Sequence, residues 1–191
     1  MKVIDVYLPH FDANERHQIV INAAAAPIYA AVRELDMSRA RLIRGLFFLR
    51  GLPAFFSRHK NASTLGLNLA GLLRSGFVLL EEKPGEEMVL GLVGKFWTAS
   101  GCVQKIAARE FCDFTASGFA KAAWNFSLQP QSNTTTILTT ETRILCTDQA
   151  SRKRFLRYWR FVQPFSGLIR MAALRAIKRA VERVKGHDST W

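Results

Sequence analysis

After a polar lead, hydrophobic positions first fall into order at Arg16-His17-Gln18-Ile19-Val20-Ile21, which predicts a strand with His17, Ile19 and Ile21 on one side. Ala23 to Ala26 then meet Pro27, a residue suited to the first turn of a helix because its missing N–H would have no partner there. Ile28, Val32 and Leu35 give that short helix its stripe, and Ser38 is placed to cap a second helix over Arg39–Arg50, stopped by Gly51 and Pro53. A third short helix is expected over Thr64–Arg74.

From Phe77 the period shortens to two. Phe77–Glu82 and Met88–Trp97 read as strands around the turn Lys83-Pro84-Gly85-Glu86. Residues 103–114 read as a weaker strand. Phe119–Gln129 alternates, with Ala120, Ala122, Trp124, Phe126 and Leu128 on one face and Lys121, Asn125 and Ser127 on the other. Thr134–Thr147 is β-branched and sets Leu138, Thr140, Thr142 and Ile144 opposite Thr139, Glu141 and Arg143. A long helix follows, capped by Thr147 or Asp148. Its stripe begins with Phe155, Trp159 and Val162 and continues past Pro164, where a kink or restart is expected, as Ile169, Ala172, Ala173, Ala176, Ile177, Ala180 and Val184. The order of elements predicts one α+β domain over 1–191 with helices on one side of an antiparallel sheet, residues 1–14 and 187–191 being peripheral tails.

Composition adds a charge asymmetry. The net charge of +12 is concentrated in residues 150–187, with eleven Lys/Arg against one acid, and in residues 38–60, with six and none. An anionic partner is expected to meet those segments. No apolar run reaches the length of a spanning helix, and no secretory signal is visible at the N-terminus. Three cysteines, Cys102, Cys112 and Cys146, share no C-x-x-C spacing and read as reduced thiols of a cytoplasmic protein.

Motifs for catalysis are scarce. The chain has no nucleophile elbow, HExxH or Gly-rich phosphate loop, and calls for no metal or cofactor. Glu141 and Arg143 share a face and predict an ion pair on the sheet surface, away from Thr140. His17, beside Ile19 and Ile21, is either a general base or a hydrogen-bonded structural histidine. Glu110 and Asp113 are acids without a visible partner.

The stretches GFVLLEEKPGEEMVLGLVGKFW (76–97), TTETR (139–143) and YWRFVQPFSGLIR (158–170), together with the element order from about Arg16 to Lys185, resemble a bacterial branch of the SRPBCC (START-like) superfamily. That resemblance implies a helix-grip fold, in which a curved antiparallel sheet of about six or seven strands wraps a long C-terminal helix and two or three short helices follow the first strand. It also implies a cavity for an apolar or aromatic ligand, and leaves the chemistry open. On this reading Trp97, Trp124, Phe126 and Trp159 form an aromatic box, with Leu92, Phe96, Leu138 and Phe155 beside it and Thr140 and Thr142 as polar handles. The segment LIRGLFFLRGLPAFF (42–56) offers Phe47, Phe48, Phe55 and Phe56 as a rim, lid or membrane contact. The expected function is binding or carrying a hydrophobic small molecule or lipid without chemistry, at an anionic membrane surface. The alternatives are a polyketide cyclase- or dehydratase-like enzyme and a protein-interaction module using the basic helix. No nucleic-acid-reading motif is present, and a solvated basic face is expected instead of specific nucleic-acid binding.

Overall fold

The alternating segments pair into one antiparallel sheet. The computed structural model describes residues 1–34, 69–98 and 100–187, with side chains up to residue 183. Its strands are β1 (Ala13–Ile21), β2 (Val78–Lys83), β3 (Glu87–Gly94), β4 (Ala120–Ser132) and β5 (Thr135–Cys146), in the spatial order β1-β5-β4-β3-β2. The helices are α1 (Val3–Tyr7), α2 (Ala25–Glu34), α3 (Leu69–Arg74) and the 39-residue α4 (Gln149–His187). This is the expected α+β class, a sheet backed by a long C-terminal helix. The described residues hold five strands, fewer than the six or seven expected.

The missing strand is residues 103–114. That stretch makes a single bridge, Val93 to Gln104, and then a 3-10 turn at Ala108–Glu110. Its one fully buried side chain, Phe111, drops over Gly91 of β3, where an added Cβ would lie 2.9 Å from the Phe111 ring. A second correction concerns the end of β3. The strand stops at Gly94, because Lys95 N–H and Gly94 meet the carbonyl of Gly101 in a tight reversal, and Phe96 and Trp97 therefore sit on a turn.

On the inner face, α4 and α2 cover the sheet. Leu138, Phe126, Met88 and Ile21 pack with Leu174, Ile177 and Val181 of α4 and with Ile28, Tyr29 and Val32 of α2. The expected alanine stripe is rotated: Ala180 is exposed, whereas Leu174 and Val181 are buried. The larger side chains take the sheet-facing positions because they remove more apolar surface from water. Asp148 caps α4, accepting from the Ser151 N–H and hydroxyl, both at 2.8 Å, and these bonds hold its carboxyl at about 2. The helix then runs through Pro164 without a restart.

The outer face is covered too, which the alternation pattern does not predict. Residues 1–14 are not a tail: Val3, Ile4 and Leu8 are buried against Leu80, Val89, Val93, Phe111 and Ala123. Glu141 and Arg143 are correspondingly buried, at 2% and 8% exposure, and do not form an exposed surface pair. Arg143 Nε donates to Glu141 (2.8 Å), its other nitrogens reach Asp5 (2.7 Å) and the Leu8 carbonyl (3.1 Å), and Lys2 reaches Glu141 (2.9 Å). Glu87 accepts from the Val3 N–H (2.8 Å) and from Asn125 (2.6 Å). Charges buried this deeply persist only when each is paired.

The expected second helix, Arg39–Arg50, lies outside the described residues, as do Phe47, Phe48, Phe55 and Phe56.

Candidate functional site

The inner face is a ladder of cross-strand rungs fixed by register. The first joins Ala13, Ile144, Ala122 and Leu92, the second Glu15, Thr142, Trp124 and Leu90, and the third His17, Thr140, Phe126 and Met88. A fourth carries Ile19, Leu138 and Leu128. The outer rungs are apolar. The middle two carry Glu15 and His17 on β1 and Thr140 and Thr142 on β5, with aromatic or aliphatic side chains on β4 and β3.

Those polar groups are linked beneath α4. His17 Nε2 lies 3.0 Å from Glu15 Oε1, and Arg170 Nε lies 3.4 Å from Glu15 Oε2. The Glu15 side chain is 6% exposed and that of Arg170 14%. A carboxylate this buried is stable because two groups that can carry positive charge flank it. The Arg170 guanidinium also stands 5.7 Å from the Trp124 ring centroid, within cation–π range. Trp124 donates its indole N–H to Thr140 Oγ1 (2.7 Å), and the Thr140 hydroxyl donates to the Asn125 carbonyl (2.9 Å). Gly167 lets the helix come this close, since a Cβ there would sit 3.0 Å from Glu15 Oε1 and 3.3 Å from the His17 ring.

One group in the band is left over. The Thr142 hydroxyl is buried and has no hydrogen-bond partner among the described residues. It stands between Glu15 and Trp124 on the second rung. A buried hydroxyl without a partner costs about 1–3 kcal/mol relative to one that is paired.

The structure brings some of the expected site residues together and separates others. Trp124 and Phe126 are 5.0 Å apart by ring centroid, and Phe77 joins Trp124 at 6.0 Å. Leu138 and Phe126 belong to the same cluster, and Leu92 lies on the inner face of β3. Phe96, Trp97, Phe155 and Trp159 form a separate cluster with Ala13, Ala120 and Ile144, at the end of the sheet near the start of α4. Phe155 and Trp159 stack at 5.7 Å. The aromatic box is thus two clusters, with the polar band beside one of them. Glu110 and Asp113 lie on the outer loop, where Glu110 accepts from the Ala107 N–H (2.9 Å) and closes its own turn. Cys146, inward-facing on β5, has its thiol pushed up to about 12 by burial and the nearby Asp12 carboxylate, which removes it as a nucleophile at neutral pH.

The pattern of the sequence does not mark Glu15 or Arg170 as site residues. Glu15 stands two residues before His17 and therefore on the same strand face, but it precedes the alternating run Arg16–Ile21 that marks the strand in the sequence. Arg170 lies between the sheet-facing and exposed sides of α4, and no periodicity marks it as inward. Among the described residues no group of His, Cys, Asp and Glu side chains is arranged to hold a metal ion.

No family model matches the chain, and no curated protein does. Two solved structures are similar to it. One is TTHA0849 from Thermus thermophilus, at 12% identity over 90% of this chain and 99% of that one, with a TM-score of 0.33. The other is the Zhui aromatase/cyclase from Streptomyces sp. R1128, at 10% identity over 90% and 94%, with a TM-score of 0.30.

Proposed function

We propose that the protein is a helix-grip protein of the SRPBCC type that binds a largely apolar or aromatic small molecule, or a lipid, between the inner sheet face and α4. The ligand's polar end meets the Glu15–His17–Arg170 band, and its body lies along Trp124, Phe126, Phe77 and Leu138. The observation that carries this reading is the Thr142 hydroxyl, buried between Glu15 and Trp124 where the polar band meets the aromatic wall and without a hydrogen-bond partner among the described residues. A ligand hydroxyl or carbonyl would complete it. Sites of this kind pair an apolar lining with a few convergent polar groups. In this reading the second cluster, Phe96, Trp97, Phe155 and Trp159, lines the far end, Thr140 anchors the Trp124 ring, and no cofactor takes part. A cytoplasmic location suits the reduced thiols.

The test is native mass spectrometry of the purified protein, followed by organic extraction and identification of what is bound. A co-purifying apolar or aromatic compound, displaced by an environment-sensitive fluorescent probe, is the expected result. A protein that carries nothing and also fails to bind the probe sinks the proposal.

A second reading is proton-transfer chemistry on such a ligand, in the manner of a cyclase or dehydratase. It is favoured by the His17–Glu15 contact at 3.0 Å, with the imidazole on the inner face and part of it accessible. A carboxylate at one ring nitrogen orients the imidazole and leaves the other nitrogen to meet a ligand. Turnover by the wild type that is lost in His17→Gln, with probe binding retained, selects this reading over simple carriage.

A further inference from the structure

We propose that the outward face of α4 docks the protein onto an anionic lipid surface. The helix lays Arg154, Arg157, Phe161, Phe165, Leu168, Ala172, Arg175, Arg179 and Arg183 along one side, each three or four residues after the last. At 3.6 residues per turn these positions form a single stripe. Its centre is apolar and exposed: Phe161 is 77% exposed, Leu168 56% and Phe165 38%. Both ends are basic and exposed, and the stripe holds no acid. Glu182, the acid of this part of α4, sits to the side, where it pairs with Lys178 and the Asn22 N–H. From Arg154 to Arg183 the stripe is about 44 Å long.

Charge decides the occupant. A second copy of the same face would set arginines against arginines. A nucleic-acid backbone would use the arginines and leave Phe161, Phe165 and Leu168 with no role. An anionic bilayer uses both, because apolar side chains enter the acyl boundary while arginines stay among the head groups. Beside the stripe a surface groove of about 570 Å³, floored by Leu156 and Trp159 and edged by Lys153, Arg157 and Arg160, adds a recess of the same character. The surface is independent of whatever the inner face binds.

The test is co-sedimentation of the full chain with phosphatidylcholine vesicles, with and without about a third phosphatidylserine. Binding is expected only with the anionic lipid and should fall as salt rises. Arg154→Gln/Arg175→Gln/Arg179→Gln should weaken it about a hundredfold, and Phe161→Ala/Leu168→Ala about tenfold. A charge-matched control on other exposed bases, Arg16→Gln/Lys105→Gln/Arg109→Gln, should retain it. All substituted groups are exposed, and circular-dichroism melts establish that each variant is folded. Absence of binding to anionic vesicles overturns the proposal, as does equal loss in the control or full retention in both α4 variants. Dimerisation in sedimentation velocity that Phe161→Ala/Leu168→Ala abolishes, or duplex DNA bound as tightly as vesicles, overturns it in favour of those partners.

Discussion

At Thr142 two opposed effects of one hydroxyl can be separated. Thr142→Val keeps the shape and removes the buried group that lacks a partner, so the ligand-free protein should gain about 1 kcal/mol. If the hydroxyl serves a ligand, probe affinity should fall in the same variant, and denaturant midpoints and probe titrations read the two separately. Arg170→Gln acts in the other direction. It leaves the Glu15 carboxylate buried with the His17 ring as its remaining partner, and should cost about 3 kcal/mol in a urea titration. Gly167→Ala would ordinarily add about 1 kcal/mol to a helix. Here its Cβ would press on a carboxylate already held on two sides, so the variant should show none of that gain.

At the scale of elements, α1 is fastened to the sheet by ionised groups, and its hold follows pH. Burial alone would raise the carboxyls of Asp5 and Glu141, yet bonds from Arg143 and Lys2 outweigh it and hold both below the usual range. With folded values lower than the unfolded 3.8 of Asp5 and 4.5 of Glu141, their contribution is complete only well above those values and is lost as pH falls toward the lowered ones. Exchange of the Val3 and Ile4 amides should therefore accelerate below about pH 4, ahead of the amides of β4 and β5. Exchange that rises uniformly in all elements would contradict this. Deleting residues 1–8 should be far more damaging than its length suggests, because it removes one or more buried partners from each of Glu87, Glu141 and Arg143 together.

For the molecule as a whole, alternation in β4 and β5 is enough to place Trp124, Phe126, Thr140 and Thr142 on one face, since strand parity alone decides it. What alternation cannot carry is distance. The five-residue helix at Val3–Tyr7 is too short to show a period, and the carboxylate that receives its N-terminus, Glu87, lies far along the chain. The end of β3 depends on a backbone reversal at Gly94 and Gly101, which no side-chain pattern announces. That reversal accounts for Phe96 and Trp97, while Phe155 and Trp159 reach the same cluster from α4. Arg170 becomes legible only through the approach of α4 at Gly167. The charge asymmetry is visible as composition, whereas its arrangement into one stripe needs the helix phase.

The register of β1 has a consequence for the order of assembly. β4 and β5 are joined by a short turn and pair along nearly their whole length, so their contacts close at little entropic cost. β1 must cross from residue 15 to residue 142 to complete the second rung, a closure that later events have to secure. Glu15 and His17 ride on that late strand, whereas Trp124, Thr140 and Thr142 belong to the early hairpin. In refolding, substitutions in the β4–β5 hairpin should slow the folding rate, whereas substitutions in β1 should mainly speed unfolding. A refolding chain would accordingly possess its aromatic wall before the Glu15 and His17 side chains arrive beside it.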